Sequence, residues 1–507
     1  MKKKKMILII IFSILGIGLL VFLLMGVLRK DNQEGNGMQP LMQRIPPVKI
    51  NYPKIEENKQ YKDRIFDTSY VHEVNIIISN KDWEDLKKYP TAKRKYPVDI
   101  TIDGIKLKNV SFNTKGNSSL KSIAEGPSVG PAANRFSFKI NFGKYENNQT
   151  YYGLDILNLN NIFGDASYLN DALSYEMFRE MGIAAPLTSF VYLKINGQNF
   201  GLYSAVEEIS KSFMERNNLD GYLYKPGQSG RNNKGSTLIY VDEKIDSYPD
   251  IFNNAKSIIS KDDKTRLIKS LKYLNEQKDL DKVLNIKEII PYFAVHNFLL
   301  SYDSYTGKSI HNYYLLEKDG ILSMLPWDYN LAFGRFNMPL NITDIINYGI
   351  DSPLIEELDK NRPMWNWIKT NPIYLEEYHQ TINKLIKNFY ESGKLDKYID
   401  NNYQVIKSFI PLDISAFYNI NQVEEAIETL KEFCKYRVQS IKLQLNGKLS
   451  TITKNQLEKE KIDASKIDLE KLGFVADDSK REQQESNSSN SEPHLDKRNN
   501  TKKETTS

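Results

Sequence analysis

Alternating apolar and polar positions dominate the first half of the chain and predict β-strands. The runs VHEVNIIIS, from Val71, and RFSFKINF, from Arg135, have the period of two that a half-buried strand requires. Two hairpins are predicted at Asp103-Gly104 and Asn196-Gly197, because these dipeptides favour tight turns between alternating runs. Up to about Lys225 the chain is therefore expected to be rich in strands.

Helical spacing of apolar residues interrupts this pattern and then replaces it. The segments DWEDLKKY and ASYLNDALSYEMFREMGI predict two helices, the second ending at Gly182. Residues 246–300 and 353–448 are mostly helical in pattern, with IKEIIPYFAVHNFLLSY as the clearest helix, and the short strands HNYYLLE and GILSMLP lie between them. The pattern predicts an α+β protein with a strand-rich half followed by a helical half.

The N-terminal region departs from this globular pattern. Met6 to Leu28 is uncharged, mainly apolar and long enough to cross a bilayer, so it predicts a single-pass membrane anchor. The alternative is a cleaved signal peptide, which has a shorter apolar region and a small-residue cleavage site. Four lysines precede the segment and two basic residues follow it. This charge bias favours an extracytoplasmic body, but it is modest and leaves the orientation open.

Five segments are expected from these changes in composition. They are a transmembrane anchor (1–30), a polar linker (31–62), a folded domain (63–448, divided near residue 225), a partly helical extension (449–476) and a disordered tail rich in Ser, Asn, Glu and Lys (477–507).

The overall composition excludes several classes of function. With 40% hydrophobic and 26% charged residues and a net charge of +5 over 507 residues, the chain is an ordinary globular protein. Its basic residues are interleaved with acidic ones, so no nucleic-acid partner is expected. The single cysteine, Cys434, excludes an intramolecular disulfide and a Cys-based zinc site, and the five histidines lack HExxH spacing.

Four polar residues occupy positions that a catalytic cleft between the two halves would need. Lys139 lies on a predicted strand, on the face opposite its apolar neighbours, and Asp303 follows the clearest helix. Asn312 begins the next strand and Asp328 ends the strand after it. This order fits phosphoryl transfer: one carboxylate positions the acceptor hydroxyl, Asn and the second carboxylate hold Mg²⁺, and the lysine neutralises nucleotide phosphates. Taken singly, each residue could equally be a surface or turn residue.

Asp328 raises a separate question, because it lies in the apolar run SMLPWDYNLAFG. A carboxylate in such surroundings must be hydrogen-bonded, paired with a cation or protonated, since isolated burial of its charge costs several kcal/mol. The simpler interpretation is a turn residue whose carboxylate caps a backbone amide.

Seven motifs between about Phe66 and Tyr436 together resemble those of one protein family. They are FNTKGNSSL (112–120), RFSFKINF (135–142), LNDALSYEMFREMGIAAP (169–186), NGQNFGLYSAVEE (196–208), LYKPG (223–227), YDSYTGKSIHNYYLL (302–316) and PWDYNLAFG (326–334). They are similar to motifs of the spore coat protein H (CotH) kinase-like proteins, atypical kinases with a diverged protein-kinase fold. The resemblance implies a bilobal fold, with a strand-rich N-lobe and a helical C-lobe. It also implies phosphorylation of Ser or Thr in proteins, typically of the spore coat, with ATP and Mg²⁺ or Mn²⁺.

The same resemblance implies roles for individual residues. Lys139 matches the nucleotide-phosphate lysine and Asp303 the catalytic loop aspartate, while Asn312 and Asp328 match the metal ligands.

Two further assignments stay open. The acidic partner of Lys139 is either Glu176, on the predicted helix, or Glu207, after the GLY strand. The turn containing Asn117 and Ser118 either covers phosphates with its backbone amides or is an ordinary tight turn.

The chain also departs from the family pattern at two positions. Asn113 stands near the place where many relatives have arginine, and Asn330 stands where many have a second aspartate. The first hypothesis is therefore a membrane-tethered protein kinase. The alternative is a pseudokinase or a surface-binding scaffold that uses the same fold for coat assembly or adhesion. Retention of the four polar residues together favours the kinase.

Overall fold

The computed structural model describes residues 48–50, 52–53, 56–125, 131–227, 236–336, 341–354 and 362–473. The predicted anchor (1–30), the linker up to residue 47 and the predicted tail (477–507) lie outside these ranges.

Seven strands from the first half of the chain form one sheet that closes into a barrel. They are β1 (His72–Ile77), β2 (Tyr96–Ile102), β3 (Ile105–Lys115), β4 (Ser137–Asn141), β5 (Ile156–Asn160), β6 (Thr188–Ile195) and β7 (Gln198–Glu207). The order around the barrel is β1-β2-β3-β4-β5-β7-β6, and β1 closes it by pairing in parallel with β6. Both predicted hairpins are confirmed, since β2–β3 and β6–β7 turn at Asp103-Gly104 and Asn196-Gly197.

The closed barrel contradicts the predicted fold class. A bilobal, protein-kinase-like fold with an N-terminal transmembrane helix was expected, and that prediction is wrong. Alternation along each run predicts a strand and the face that it buries. It does not specify which distant strand becomes a neighbour, because that choice depends on tertiary contacts. Here Val74 of β1 lies beside Leu193 of β6, and this long-range pairing closes the sheet.

The predicted localisation is corrected as well. Within the described ranges, every helix is too short or too polar to span a bilayer. This finding contradicts the expected single-pass membrane protein with an extracytoplasmic body. The segment that suggested it, Met6 to Leu28, is not among the described residues.

A second, three-stranded sheet lies in the other half of the chain. Its strands are β8 (Tyr222–Tyr224), β9 (Tyr313–Lys318) and β10 (Ile321–Pro326), in the order β10-β9-β8. The two strands that the sequence predicted here, HNYYLLE and GILSMLP, are confirmed as β9 and β10.

Much of the remaining described chain is α-helical. They are α1 (Asn80–Lys88), α2 (Ser118–Glu125), α3 (Asn170–Glu180), α4 (Lys211–Arg216), α5 (Pro249–Phe252), α6 (Lys261–Glu276), α7 (Ile286–Leu299), α8 (Ile342–Ile346), α9 (Pro363–Thr370), α10 (Pro372–Leu385), α11 (Lys394–Ile406) and α12 (Ile420–Leu445). Helix α7 is apolar around most of its circumference and is buried in the largest hydrophobic core, as such a pattern requires.

A buried ion pair joins the barrel to the helical half. Arg135, just before β4, places Nη1 2.7 Å from Oδ2 of Asp413, and neither side chain is exposed. The same Asp413 oxygen accepts a hydrogen bond of 2.8 Å from the amide of Leu202 in β7. A Cβ atom on Gly201 would lie 2.5 Å from the Arg135 guanidinium, so this close approach requires glycine. The contact fixes the barrel against the loop between α11 and α12.

Candidate functional site

The outer face of β3, β4 and β5 is polar. Apolar residues such as Phe138 point into the barrel, so the residues that alternate with them point outward. Asn113, Lys139 and Asn158 lie side by side across the three strands. We call these three residues the polar row. Lys139 therefore lies on the face that the sequence predicted for it.

The ammonium of Lys139 is paired with Glu208, the residue after β7. The Lys139 Nζ atom lies 2.8 Å from Glu208 Oε1, and Asn158 Nδ2 donates to Oε2 at 2.7 Å. Burial alone would raise the pKa of Glu208, but the Lys139 and Lys225 ammonium groups lower it to about 2. Glu208 is therefore a fixed negative charge across the physiological pH range.

The two glutamates considered as partners of Lys139 lie elsewhere. Glu176 pairs with Arg179 on the same helix, at 2.6 Å. Glu207 pairs with Arg216 at 2.7 Å and also accepts from the hydroxyl of Tyr61 at 2.5 Å. Successive residues of an extended chain point to opposite faces, so only one of the pair 207–208 can face Lys139. The two consecutive glutamates were the sequence signal for Glu208, but the sequence did not indicate which of them faces outward.

Two more lysines, which sequence reasoning missed, lie around Trp327. Lys115, at the end of β3, donates to Asn160 Oδ1 at 2.7 Å, and its Nζ is 5.6 Å from the Trp327 ring centre. The Lys225 Nζ is 4.7 Å from the same ring centre. Burial lowers the pKa of both ammonium groups, that of Lys225 to about 8, while the carboxylates of Glu208 and Asp328 oppose this shift. The sequence signals that could have indicated these two lysines were the alternation in NTK and LNLN, for Lys115, and the motif LYKPG, for Lys225.

Asp328 follows β10 and faces this lysine cluster. Its backbone adopts a positive φ of 61°, and its amide donates to the hydroxyl of Tyr175 at 2.9 Å. Asp328 lines a pocket together with Lys115, Asn160 and Asp171. The Asp328 charge contributes to the pKa shifts of both Lys115 and Lys225. The sequence predicted Mg²⁺ as the balancing charge of this carboxylate, and the structure places the protein cations Lys115 and Lys225 within electrostatic range of it.

A second carboxyl group in this pocket, Asp171, was not expected from the sequence. It lies in the first turn of α3, where Oδ1 accepts from the amide of Tyr329 at 2.8 Å and Oδ2 from Asn160 at 3.1 Å. Burial raises the pKa of Asp171 to about 7, the Asp328 carboxylate adds to this rise, and Lys115 opposes it. The pocket thus contains, beside Asp328, a carboxyl group whose pKa is raised to about 7.

Asp303 and Asn312 form a second polar group, in the loop after α7. Asn312 Nδ2 donates to the backbone oxygen of Asp303 at 2.9 Å and to its Oδ2 at 3.1 Å. His311 Nε2 lies 3.1 Å from Asp303 Oδ1. These contacts orient both carboxylate oxygens, and the structure brings the two predicted residues together.

Buried His296 on α7 connects this loop to the segment that contains Asp328. Its Nδ1 lies 2.8 Å from the Tyr329 hydroxyl and its Nε2 lies 2.7 Å from Thr306 Oγ1. Burial lowers the pKa of His296 to about 3, so the ring is neutral and acts as a structural bridge.

The turn after β3 contains the remaining predicted residues. Gly116 has a φ of +99°, which permits the reversal from β3 into α2. Asn117 Oδ1 accepts from Lys93 Nζ at 2.7 Å, Ser118 begins α2, and Ser119 lines the pocket beside Gly116. The turn therefore lies at the pocket rim, next to Lys115.

Comparison with known proteins defines the class. The family model described as CotH kinase protein matches residues 113–441, which include the polar row, Asp303, Asn312 and Asp328, and the chain belongs to this family. It is similar to the Inner spore coat protein H of Bacillus subtilis (strain 168). The two are 21% identical over 309 residues, which cover 58% of this chain and 79% of that protein.

Proposed function

We propose that this protein is an ATP-dependent kinase that phosphorylates Ser or Thr hydroxyls of proteins, with spore-coat proteins as its substrates. The observation that carries the proposal is the pocket lined by Lys115, Asp171 and Asp328, in which the Lys115 ammonium interacts electrostatically with the Lys139–Glu208 pair. Phosphoryl transfer depends mainly on positioning and on stabilising negative charge, and this pocket concentrates the groups for both.

The positive charges of the lysines complement the negative charge of a nucleoside triphosphate. Lys115, Lys139 and Lys225 influence one another electrostatically within the cluster. Bringing three ammonium groups together is unfavourable unless anions balance them. Glu208 and Asp328 balance part of this charge, and phosphate oxygens would balance the rest. ATP, when bound, supplies the phosphoryl group to be transferred. We assign Lys139 to its phosphates, with Glu208 holding the ammonium in place.

The acidic residues fit a magnesium or manganese ion. Among the described residues there is no group of three or more His, Cys, Asp and Glu side chains suited to a metal. Mg²⁺ does not need such a group, because it retains waters and uses one or two carboxylates together with phosphate oxygens. We assign Asp328 as the carboxylate ligand. Asn312 remains our proposal for a second ligand, and its amide already contacts Asp303.

We assign Asp303 to the acceptor hydroxyl. Its two carboxylate oxygens are held by Asn312 and His311, each at 3.1 Å, which restricts the side chain to one orientation. A carboxylate held in this way can accept the hydrogen bond of a Ser or Thr hydroxyl and direct its oxygen for attack. The family description and the name of the similar Bacillus protein support a protein substrate of the spore coat.

The test is transfer of labelled phosphate by the full-length protein. It is incubated with γ-labelled ATP, Mg²⁺ or Mn²⁺ and a Ser-rich peptide, and the phosphorylated residues are identified by mass spectrometry. We expect phospho-Ser or phospho-Thr in the peptide. Lys139→Met should lower the rate by about 10²–10³-fold, because it removes a charge that stabilises the transition state. Lys106→Met, at the exposed start of the same β3 that ends in Lys115, is the control and should be unchanged.

The absence of transfer in the presence of bound nucleotide would contradict the proposal. It would support the alternative, a pseudokinase or scaffold.

A further inference from the structure

Lys225 is a half-buried cation of the lysine cluster, and no specific ligand contact has been assigned to it. It follows β8, and its amide donates to the backbone oxygen of Asn254 at 3.1 Å, which fixes its position on the second sheet. The barrel contributes Lys115 and Lys139 to the cluster, so Lys225 enters it from a different sheet.

The Lys225 ammonium rests on two aromatic rings. Its Nζ lies 4.7 Å from the ring centre of Trp327 and 5.1 Å from that of Tyr314. The two rings meet edge to face at 5.6 Å, and both are almost completely buried. Within the described part of the chain, no hydrogen bond joins this ammonium to an oxygen atom. Cation–π contacts stabilise a charge but leave its N–H donors available.

The neighbouring lysines are already engaged. Lys139 is paired with Glu208 at 2.8 Å, and Lys115 donates to Asn160 at 2.7 Å. Lys225 is repelled by both ammonium groups and attracted by Glu208 and Asp328. It therefore faces the same charged space, with donors that an incoming anion could use.

We propose that Lys225 is a further ligand-binding residue, whose ammonium donates to phosphate oxygens of the nucleotide from the second sheet, while Lys115 and Lys139 belong to the barrel. The proposal rests on the proposed kinase function and deepens it. Trp327 and Tyr314 would hold the ammonium in a defined position, so that little side-chain freedom is lost on binding. Phosphate would thus be contacted from both sheets, and binding would depend on their relative placement.

Burial also keeps the pKa of Lys225 near 8, so the group is largely protonated at neutral pH. A bound anion would favour the charged form further.

The experiment compares Lys225→Met and Lys225→Arg in the full-length protein. Binding of Mg²⁺-ATP and of inorganic tripolyphosphate is measured by calorimetry, and folding is checked by circular dichroism. Lys225→Met should weaken both ligands by at least about tenfold, the loss of one charge-assisted hydrogen bond. Lys225→Arg keeps the positive charge, so its affinity for both ligands should fall by less than that of Lys225→Met. Lys256→Met is the matched control, because Lys256 is exposed and its amide bonds to Leu223 of β8.

Each result decides one of the two proposals. Equal binding of both ligands by wild type and Lys225→Met overturns the assignment of Lys225. Loss of ATP binding with tripolyphosphate binding retained also overturns it, since the residue would then not contact phosphate. A wild type that binds tripolyphosphate through Lys225 but does not bind Mg²⁺-ATP supports the anion site and contradicts the kinase. If Lys225→Met fails to fold, Lys225→Gln replaces it in the same comparison.

Discussion

Asp171 shows how strongly the surroundings of a buried carboxyl group can change its pKa. Its ordinary pKa of 3.8 is raised to about 7, first by burial and then by the Asp328 carboxylate. Below about pH 4 the group is protonated in both the folded and the unfolded chain. Between about pH 4 and 7 the unfolded chain releases this proton and the folded chain retains it. The free energy of unfolding contributed by Asp171 therefore falls as the pH rises through this window.

Asp171→Asn should remove this pH dependence. The amide can still accept from the Tyr329 amide, so the fold should be retained. Measured by denaturant unfolding without metal or nucleotide, the variant should become progressively more stable than wild type between pH 4.5 and 7.5. The change should reach a few kcal/mol at most, at about 1.4 kcal/mol per pKa unit. Asp262→Asn, an exposed aspartate on α6, should show a constant difference. A constant difference for Asp171→Asn would contradict the assignment.

At the residue scale, the sequence could place those side chains whose position follows from a local sequence pattern. Lys139 and Asp328 could be placed from strand alternation and from an acidic residue in an apolar run. Glu208, Lys225 and Asp171 could not, because their importance comes from neighbours more than a hundred residues away in some cases. The Lys139–Glu208 contact spans 69 residues of sequence and the Asp171–Tyr329 contact spans 158.

At the scale of elements, His296 links helix α7 to the two segments that carry Asp303 and Asp328. It belongs to α7, contacts Thr306 in the loop that contains Asp303, and contacts Tyr329 beside Asp328. Both ring nitrogens are used, and all three side chains are buried. Removing the ring would leave two buried hydroxyl groups without this partner, which costs more than the loss of the hydrogen bonds alone.

A double-mutant cycle tests this connection. His296→Phe should lower the free energy of unfolding by about 1–3 kcal/mol. Combined with Thr306→Val, it should cost less than the sum of the two single changes, with a coupling of about 0.5–3 kcal/mol. His296→Phe combined with Thr381→Val is the control and should be additive, because Thr381 is a half-buried threonine on α10 that bonds only to the Glu377 backbone oxygen among the described contacts. Additive costs for His296 and Thr306 would show that the two side chains do not interact.

Individual elements were predictable where turn chemistry and periodicity are local. The hairpins at Asp103-Gly104 and Asn196-Gly197 and the apolar helix α7 all occur as expected. The parallel pairing of β1 with β6 was not predictable, because no local pattern specifies it. Because of that pairing, the strand-rich half is a closed barrel and not the kinase-like N-lobe that the sequence predicted.

At the scale of the whole molecule, the proposed site forms where separate parts of the fold meet. The outer face of β3–β5 provides Lys115 and Lys139, the second sheet leads into Lys225 and Asp328, and α3 provides Asp171. The buried Arg135–Asp413 pair helps to fix the barrel relative to the helical half. Such a site is assembled only in the folded chain, so a ligand that bridges its parts should stabilise the fold.

The most direct test of this account is the affinity of the full-length protein for Mg²⁺-ATP, measured by calorimetry for wild type and two variants. Asp328→Asn alters the proposed metal ligand. Asp319→Asn is its matched control, because Asp319 is exposed in the β9–β10 turn and also has a positive φ, 53° against 61°. We expect one site in wild type, unchanged binding in Asp319→Asn and at least about tenfold weaker binding in Asp328→Asn. A wild type that does not bind Mg²⁺-ATP, or an Asp328→Asn variant that binds it equally well, would contradict the account.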